Sequence, residues 1–192
     1  MSGPHSTRSL LRVGLATACG ILLVLAATSA GKPAAPAKDA AHQAQLERGR
    51  YLVTVTGCND CHTPGALFGA PDFNRTLSGS ELGWRGPWGI TFARNLTPDT
   101  DTGLGYWSED EIVKAIRTGV RNNGKMLLPP MPWQDFSALT DADAHAIAAY
   151  LMSLPPVKHA VPDAVPPGKD YSGSVITLPQ PSAWDVPPPA GK

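Results

Sequence analysis

The sequence predicts a mainly α-helical domain, and three observations carry that expectation. Three segments repeat apolar residues at helical spacing and are bounded by start and stop signals. No segment shows the apolar and polar alternation of a half-buried strand. Between the first two helices runs a loop of about fifty residues, longer than a compact domain tolerates unless something other than secondary structure organises it. Composition removes other classes. The 16 basic side chains are balanced by 16 acidic ones, and no cluster of Lys and Arg exists that could neutralise a phosphate backbone. Nucleic acid is therefore not an expected partner.

In chain order, residues 1–30 read as an export segment. Arg8 and Arg12 are its only charges, and they precede an uncharged stretch over 13–30 that contains Ile21-Leu22-Leu23-Val24-Leu25. This is the pattern of a signal peptide, and its length also suits a retained membrane anchor. Either way the remainder lies outside the cytoplasm, because the two arginines hold the amino end inside. Removing 1–30 leaves a formal charge of −2. Residues 31–42 are Ala/Pro-rich with no large apolar side chain, which predicts a linker.

A domain is expected over 43–157. Its first helix covers 43–56, with Leu46, Gly49, Leu52 and Val53 on one face and a stop at Gly57. The second opens at Ser108, whose pairing with Glu111 forms a capping box flanked by Trp107 and Ile112 as a hydrophobic staple, and it ends at Gly119. The third opens at Thr140 with Asp141 and Asp143 near the positive end of its dipole. It carries Ile147, Tyr150, Leu151 and Leu154 as a stripe and stops at Pro155-Pro156. Ten of the 20 prolines lie beyond Leu154, so residues 158–192 form a Pro-rich tail. With Tyr171, Val175, Ile176, Leu178 and Trp184 as apolar anchors, this tail could drape over the domain, stay disordered or bind a partner.

Of three cysteines, two stand in Cys58-Asn59-Asp60-Cys61-His62. Cys-x-x-Cys-His is the attachment motif of c-type haem. Its spacing presents two thiols to the two vinyl groups of one porphyrin and the next imidazole to the iron. A thiol–disulfide site would need a βαβ context, which is absent. A disulfide between Cys58 and Cys61 would close a small strained ring and stabilise little. Zinc needs four ligands, and His5, His42, His145 and His159 have no paired metal spacing.

A second axial ligand is sought among the methionines. Met152 and His145 lie off the apolar stripe of the third helix and are expected to face away from the core. Met131 is framed by prolines in Leu128-Pro129-Pro130-Met131-Pro132-Trp133, which cut its backbone freedom. Met126, after Gly124, lacks that constraint. The expected ligand set is His62 and Met131, which raises the reduction potential and leaves no open site on iron.

These residues resemble a class I cytochrome c domain over 47–157. The landmarks are Arg48-Gly49-Arg50-Tyr51-Leu52-Val53, the attachment motif with Thr63-Pro64, Asn95-Leu96-Thr97-Pro98-Asp99, Gly103-Leu104-Gly105-Tyr106-Trp107-Ser108, the Met131 loop and Ala148-Ala149-Tyr150-Leu151. The series is similar to haem domains of exported cytochromes that serve membrane-bound alcohol, aldehyde and sugar-acid dehydrogenases. Those subunits carry three attachment motifs and this chain one.

The resemblance implies the cytochrome c fold, with helices and long loops wrapped around one covalent haem. Cys58 and Cys61 would bind the vinyl groups, and His62 and Met131 the iron. The Pro64 carbonyl would accept the His62 Nδ1 proton. Tyr150 would pack with Gly49 where the first and last helices cross, beside the haem pocket. Asn95, with Arg94, would meet the propionates, while Trp84 and Trp88 would pack in the haem pocket in preference to donating there. The implied function is periplasmic electron transfer between a dehydrogenase or quinol-linked donor and an oxidase acceptor. The competing readings are a peroxidase-like haem enzyme with an open distal site and a membrane-anchored docking subunit. Asp99-x-Asp101-x-Gly103 lacks the spacing of a full calcium loop and reads as a solvated turn.

Overall fold

The computed structural model describes residues 37–179. The expected export segment, the first part of the linker and Trp184 lie outside the described residues. The chain forms α1 (Ala37–Val55), α2 (Cys58–His62), two single 3₁₀ turns, β1 (Gly83–Gly86), β2 (Gly89–Phe92), α3 (Glu109–Thr118), α4 (Trp133–Phe136), α5 (Asp141–Ser153) and β3 (Val175–Thr177). Among the described residues no helix is long and apolar enough to cross a membrane.

Helix α1 starts six residues before the predicted 43, so part of the expected linker is helical. Ala40 and Ala41 lose no side-chain entropy in a helix, and Asp39 sits in the first turn. An exposed helical extension needs no apolar face, which is why periodicity missed it. The core lies where α1 and α3 pack on α5. Leu52 and Val53 of α1 and Ile112 of α3 bury against Ala146, Ile147, Ala148 and Leu151 of α5.

At the α1–α5 crossing the backbones touch. A Cβ on Gly49 would fall 1.9 Å from the Ala146 carbonyl oxygen and 2.6 Å from Tyr150 Cβ. Outside the contact, Arg48 Nε donates to Asp143 Oδ1 at 2.8 Å. Burial on α5 extends beyond the expected stripe to Ala144, Ala146, Ala148 and Ala149, because α1 and α3 flank it on separate sides and alanines let both approach. For the same reason Met152 is half-buried and packs against the core, which corrects the expectation that it faces away.

Both capping predictions hold. Ser108 accepts from the Glu111 amide while the Glu111 carboxylate accepts from the Ser108 amide, and Gly119 ends α3 at φ 71°. Thr140 caps α5 by accepting from the Asp143 amide.

A small sheet, ordered β2-β1-β3, was not visible in the sequence. The antiparallel β1–β2 hairpin pairs Trp84 with Thr91 and Arg85 with Ile90. The parallel β1–β3 pair sets Trp84 against Ile176. Four-residue strands that carry glycine at their ends are too short to register a period of two.

Strand β3 comes from the Pro-rich tail. Over 158–179 that tail drapes over the domain. Val165 and Ile90 exchange backbone hydrogen bonds of 2.8 and 2.9 Å, and Tyr171 packs edge-to-face on Phe92 at 5.3 Å. At its start, His159 is clamped between the Ser78 carbonyl (Nδ1, 2.8 Å) and the Glu81 carboxylate (Nε2, 2.7 Å).

Candidate functional site

Gly57, at φ 70° and thus in the region that favours glycine, turns the chain out of α1 and caps α2. One helical turn then sets Cys58, Cys61 and His62 along the wall of a cavity of ≈ 960 Å³. Both cysteines are free and half-buried. Burial pushes both thiols up, so they stay protonated at neutral pH; for Cys58 a bond to the Thr56 hydroxyl only partly opposes this. A thiolate catalyst needs the opposite shift, toward an electropositive and accessible environment. The thiol–disulfide alternative therefore loses support.

The His62 Nδ1 lies 2.6 Å from the Arg94 carbonyl oxygen. A carbonyl only accepts, so Nδ1 carries the proton and Nε2 keeps its lone pair. Burial pushes this imidazole down and holds it neutral, against the partial opposition of the same hydrogen bond. A neutral imidazole oriented through its other nitrogen is the form that binds a metal.

Arg94, and not the expected Pro64, supplies this carbonyl. After Thr63 the chain turns at Gly65 (φ 77°), and the Pro64 carbonyl accepts the Asp72 amide at 2.9 Å. It is thereby directed away from the histidine.

The apolar wall is made by Leu96, Leu104, Trp107, Ile112, Ile147 and Leu151, from the long loop, α3 and α5. Met131 and Met126 both reach it. Met131 is half-buried and set between two turns: its amide meets the Leu128 carbonyl at 3.3 Å, and its carbonyl accepts from Trp133 at 3.0 Å. The Trp133 ring packs at Gly119, where an added Cβ would lie 2.7 Å from it. This contact ties the methionine loop to the end of α3. Met126 is 48% exposed.

Three expected pocket residues have other work. Asn95 is buried, and its amide is fully used. Nδ2 donates to the Val157 carbonyl (2.7 Å) and the Thr102 hydroxyl (3.0 Å), while Oδ1 accepts from the Thr97 amide (2.9 Å) and hydroxyl (2.8 Å). Two donors and two lone pairs are all it has, so none is left for a propionate. Tyr150 stands at the α1–α5 crossing and is not part of the cavity wall, and neither is Pro64.

Arg94 itself does line the cavity, but Nη1 donates to the Pro162 and Val161 carbonyls and Nη2 pairs with Asp163 at 3.3 Å. Trp84 reaches the wall and Trp88 does not; the Trp88 ring covers Gly86. Asp99 accepts from the Thr102 amide and hydroxyl, each at 2.7 Å, and no metal-binding cluster of His, Cys, Asp and Glu exists among the described residues. Among the wall residues that no expectation covers, one is charged and half-buried. Arg121, after the turn that ends α3, lines the cavity with no motif to announce it.

Two free thiols one helical turn apart, an imidazole with its Nδ1 proton fixed, a thioether and an apolar wall of macrocycle size fit a covalently bound haem. The class that this fold and site define is confirmed by comparison: the cytochrome c family matches residues 46–155. The chain belongs to that family, and its domain is one of electron transfer.

Its relatives include the fructose dehydrogenase cytochrome subunit of Gluconobacter japonicus, 33% identical over 72% of this chain and 27% of the relative. Another is the cytochrome c subunit of the quinone alcohol dehydrogenase of Gluconobacter oxydans, 36% identical over 72% of this chain and 26% of the relative. A diheme cytochrome c-type protein of Cereibacter sphaeroides is 28% identical over 73% of this chain and 49% of the relative. The chain thus spans about a quarter to a half of the length of these curated relatives.

Proposed function

We propose that this chain carries one electron at a time through a single haem c, bound covalently at Cys58 and Cys61 and ligated axially by His62 and Met131. The observation that carries the reading is the gathering of both thiols, the oriented imidazole and Met131 around one cavity. When bound, the haem supplies the Fe(III)/Fe(II) couple. Each thiol would add across one vinyl double bond, forming a carbon–sulfur bond and passing its hydrogen to the other vinyl carbon, so attachment needs no oxidant.

The protein's own contribution is to hold these groups still. Arg94 fixes the His62 ring through Nδ1–H, and the turns on either side of Met131 fix its thioether. The walls of α3 and α5 exclude water, so that little reorganises when the charge changes. As a ligand to the iron the Met131 thioether would favour the reduced state and leave no open site for oxygen or peroxide, which supports a carrier rather than a peroxidase-like enzyme.

The relatives' names support a dehydrogenase as electron donor. The export pattern over 1–30 supports a periplasmic location, with that segment removed or kept as an anchor; the intact mass of the purified protein separates the two.

The ligand assignment is tested by absorption spectroscopy of the oxidised holoprotein. Met131→Ala is expected to abolish the weak far-red charge-transfer band of methionine-ligated ferric iron and open the site to cyanide, while Met126→Ala keeps the band. The reverse pattern overturns Met131 as ligand.

A further inference from the structure

The residue that neither motif nor helix pattern singled out is Arg121. It sits at the start of a short hairpin: Val120 bridges Met126, the Arg121 amide donates to the Lys125 carbonyl at 2.9 Å, and the Arg121 carbonyl accepts from Gly124 at 2.9 Å. This turn fixes its backbone. The side chain is half-buried in the cavity wall, and among the described residues its guanidinium has no hydrogen-bond acceptor or ion pair.

The acids that share the wall are otherwise engaged or exposed. Asp163 pairs with Arg94 and Asp101 with Lys158 at 2.7 Å, while Asp60 is exposed on α2. The remaining cation of the wall, Lys125, is also exposed. The environment opposes the Arg121 charge, first by burial and then through the neighbouring positive charge of Arg94. A guanidinium stays protonated in proteins, so a half-buried full charge with five donors is held beside a like charge with no protein acceptor among the described residues. The missing partner is an anion, and a planar fork selects a carboxylate that can be gripped by two parallel hydrogen bonds.

We propose that Arg121 binds a haem propionate, forming the charge-assisted pair that the protein itself does not provide. This rests on the haem reading above. It assigns to Arg121 the part that sequence expectation gave to Asn95, whose amide is saturated, and to Arg94, whose guanidinium is tied to the tail. The pair neutralises a carboxylate close to the iron, so it bears on the reduction potential. With Arg121 present, the propionate's negative charge stabilises Fe(III) less, and the potential is higher.

The test uses the full-length holoprotein, its midpoint potential, and the paramagnetically shifted propionate methylene resonances of the ferric form. Arg121→Gln is expected to raise the Fe(III)/Fe(II) ratio at a fixed ambient potential by about threefold to tenfold. That is a downward shift of roughly 30 to 59 mV at 59 mV per tenfold for one electron. It should also move the propionate resonances. Arg121→Lys, which keeps a charge but lacks the fork, is expected to recover most of the potential and still shift the resonances. Arg50→Gln, a charge removal on the exposed face of α1, is the control and should change neither.

Unchanged propionate resonances in Arg121→Gln, or in Arg121→Lys if the glutamine variant does not accumulate, overturn the proposal. So does a variant altered only in the salt dependence of electron exchange at an unchanged potential, which would make Arg121 part of a docking surface. A wild-type protein without a c-type spectrum would instead overturn the haem reading itself.

Discussion

Where α1 crosses α5, two backbones meet with only the hydrogens of Gly49 between them. Where residues 94–102 meet the tail, the backbones are held apart and joined by side chains. Asn95 and Thr97 bond to Val157, and Arg94 bonds to Val161 and Pro162. Helices satisfy their own amides and carbonyls, so their contact can be purely steric. Loops cannot, so their buried groups need partners from elsewhere in the chain, and here side chains supply several of them. The cavity lies against both kinds of structure. His62 takes its orientation from the loop side through Arg94, while much of the apolar wall comes from the helical side.

The helical side should be the more brittle. A methyl group at Gly49 cannot be accommodated by a side-chain rotation, because the atom it meets at 1.9 Å is the Ala146 backbone carbonyl. The helices would have to separate along their length and open the core around Leu52, Ile147 and Leu151. Gly49→Ala is expected to cost about 3 kcal/mol, at the upper end for overpacking, despite the better helix propensity of alanine. Urea denaturation of the holoprotein measures it. A loss below about 1 kcal/mol would mean that the crossing yields and that the two sides do not differ as described.

Asn95→Ala probes the other side. It removes all four hydrogen bonds of a buried amide, orphans the Thr97 amide and takes one of two donors from the Val157 carbonyl. One buried group left unsatisfied costs about 1–3 kcal/mol, and Thr97 Oγ1, 3.1 Å from the Val157 amide, still links loop to tail. An overall loss of about 2 kcal/mol is expected. The damage should be local: faster hydrogen exchange over 95–102 and 157–163, with exchange in α5 tracking only the global stability. Uniform acceleration across α1 and α5 would show that loop and helices open as one unit, which removes the distinction.

The same contrast explains how much could be read from the sequence. The capping box at Ser108 and Glu111, the stop at Gly119 and the cap at Thr140 depend on residues within one turn of each other, and they were read correctly. The attachment motif is equally local. What escaped depends on distance along the chain. The carbonyl that orients His62 lies 32 residues away, and the nearby Pro64 was expected in its place.

Asn95 is expected at a propionate, but its amide is taken up by Thr102, Thr97 and Val157, partners that only the fold defines. Strand β3 exists because β1 offers it an edge. Leu77, buried at φ 59° in a conformation that L-residues rarely adopt, carries no sequence signal; the Thr63 hydroxyl and the Leu96 amide hold its backbone at 2.9 and 2.8 Å. Arg121 gave no sign for a different reason: a lone arginine in a turn becomes informative only when its surroundings show that no acceptor is near.

The smallest effect is expected at the clamp that begins the tail, and it is a dependence on pH. Burial pushes the Glu81 carboxyl up, but hydrogen bonds from His159 and from its own amide, with the charge of Arg75, bring it below the ordinary glutamate range. A carboxyl depressed in the folded state contributes stability that is complete above its unfolded pKa and disappears as pH falls through the folded one. The difference in stability between wild type and Glu81→Gln should therefore be present at neutral pH and vanish under acid conditions.

Glu81 is about half exposed, so solvent screening limits this contribution to less than about 1 kcal/mol. Denaturation midpoints of both proteins across the acid range measure it. If the gap widens as pH falls, the clamp is not held by the ionised carboxylate. The start of the tail would then be fixed by its other contacts, those of Asn95, Thr97 and Ser78 and the ion pair of Lys158 with Asp101.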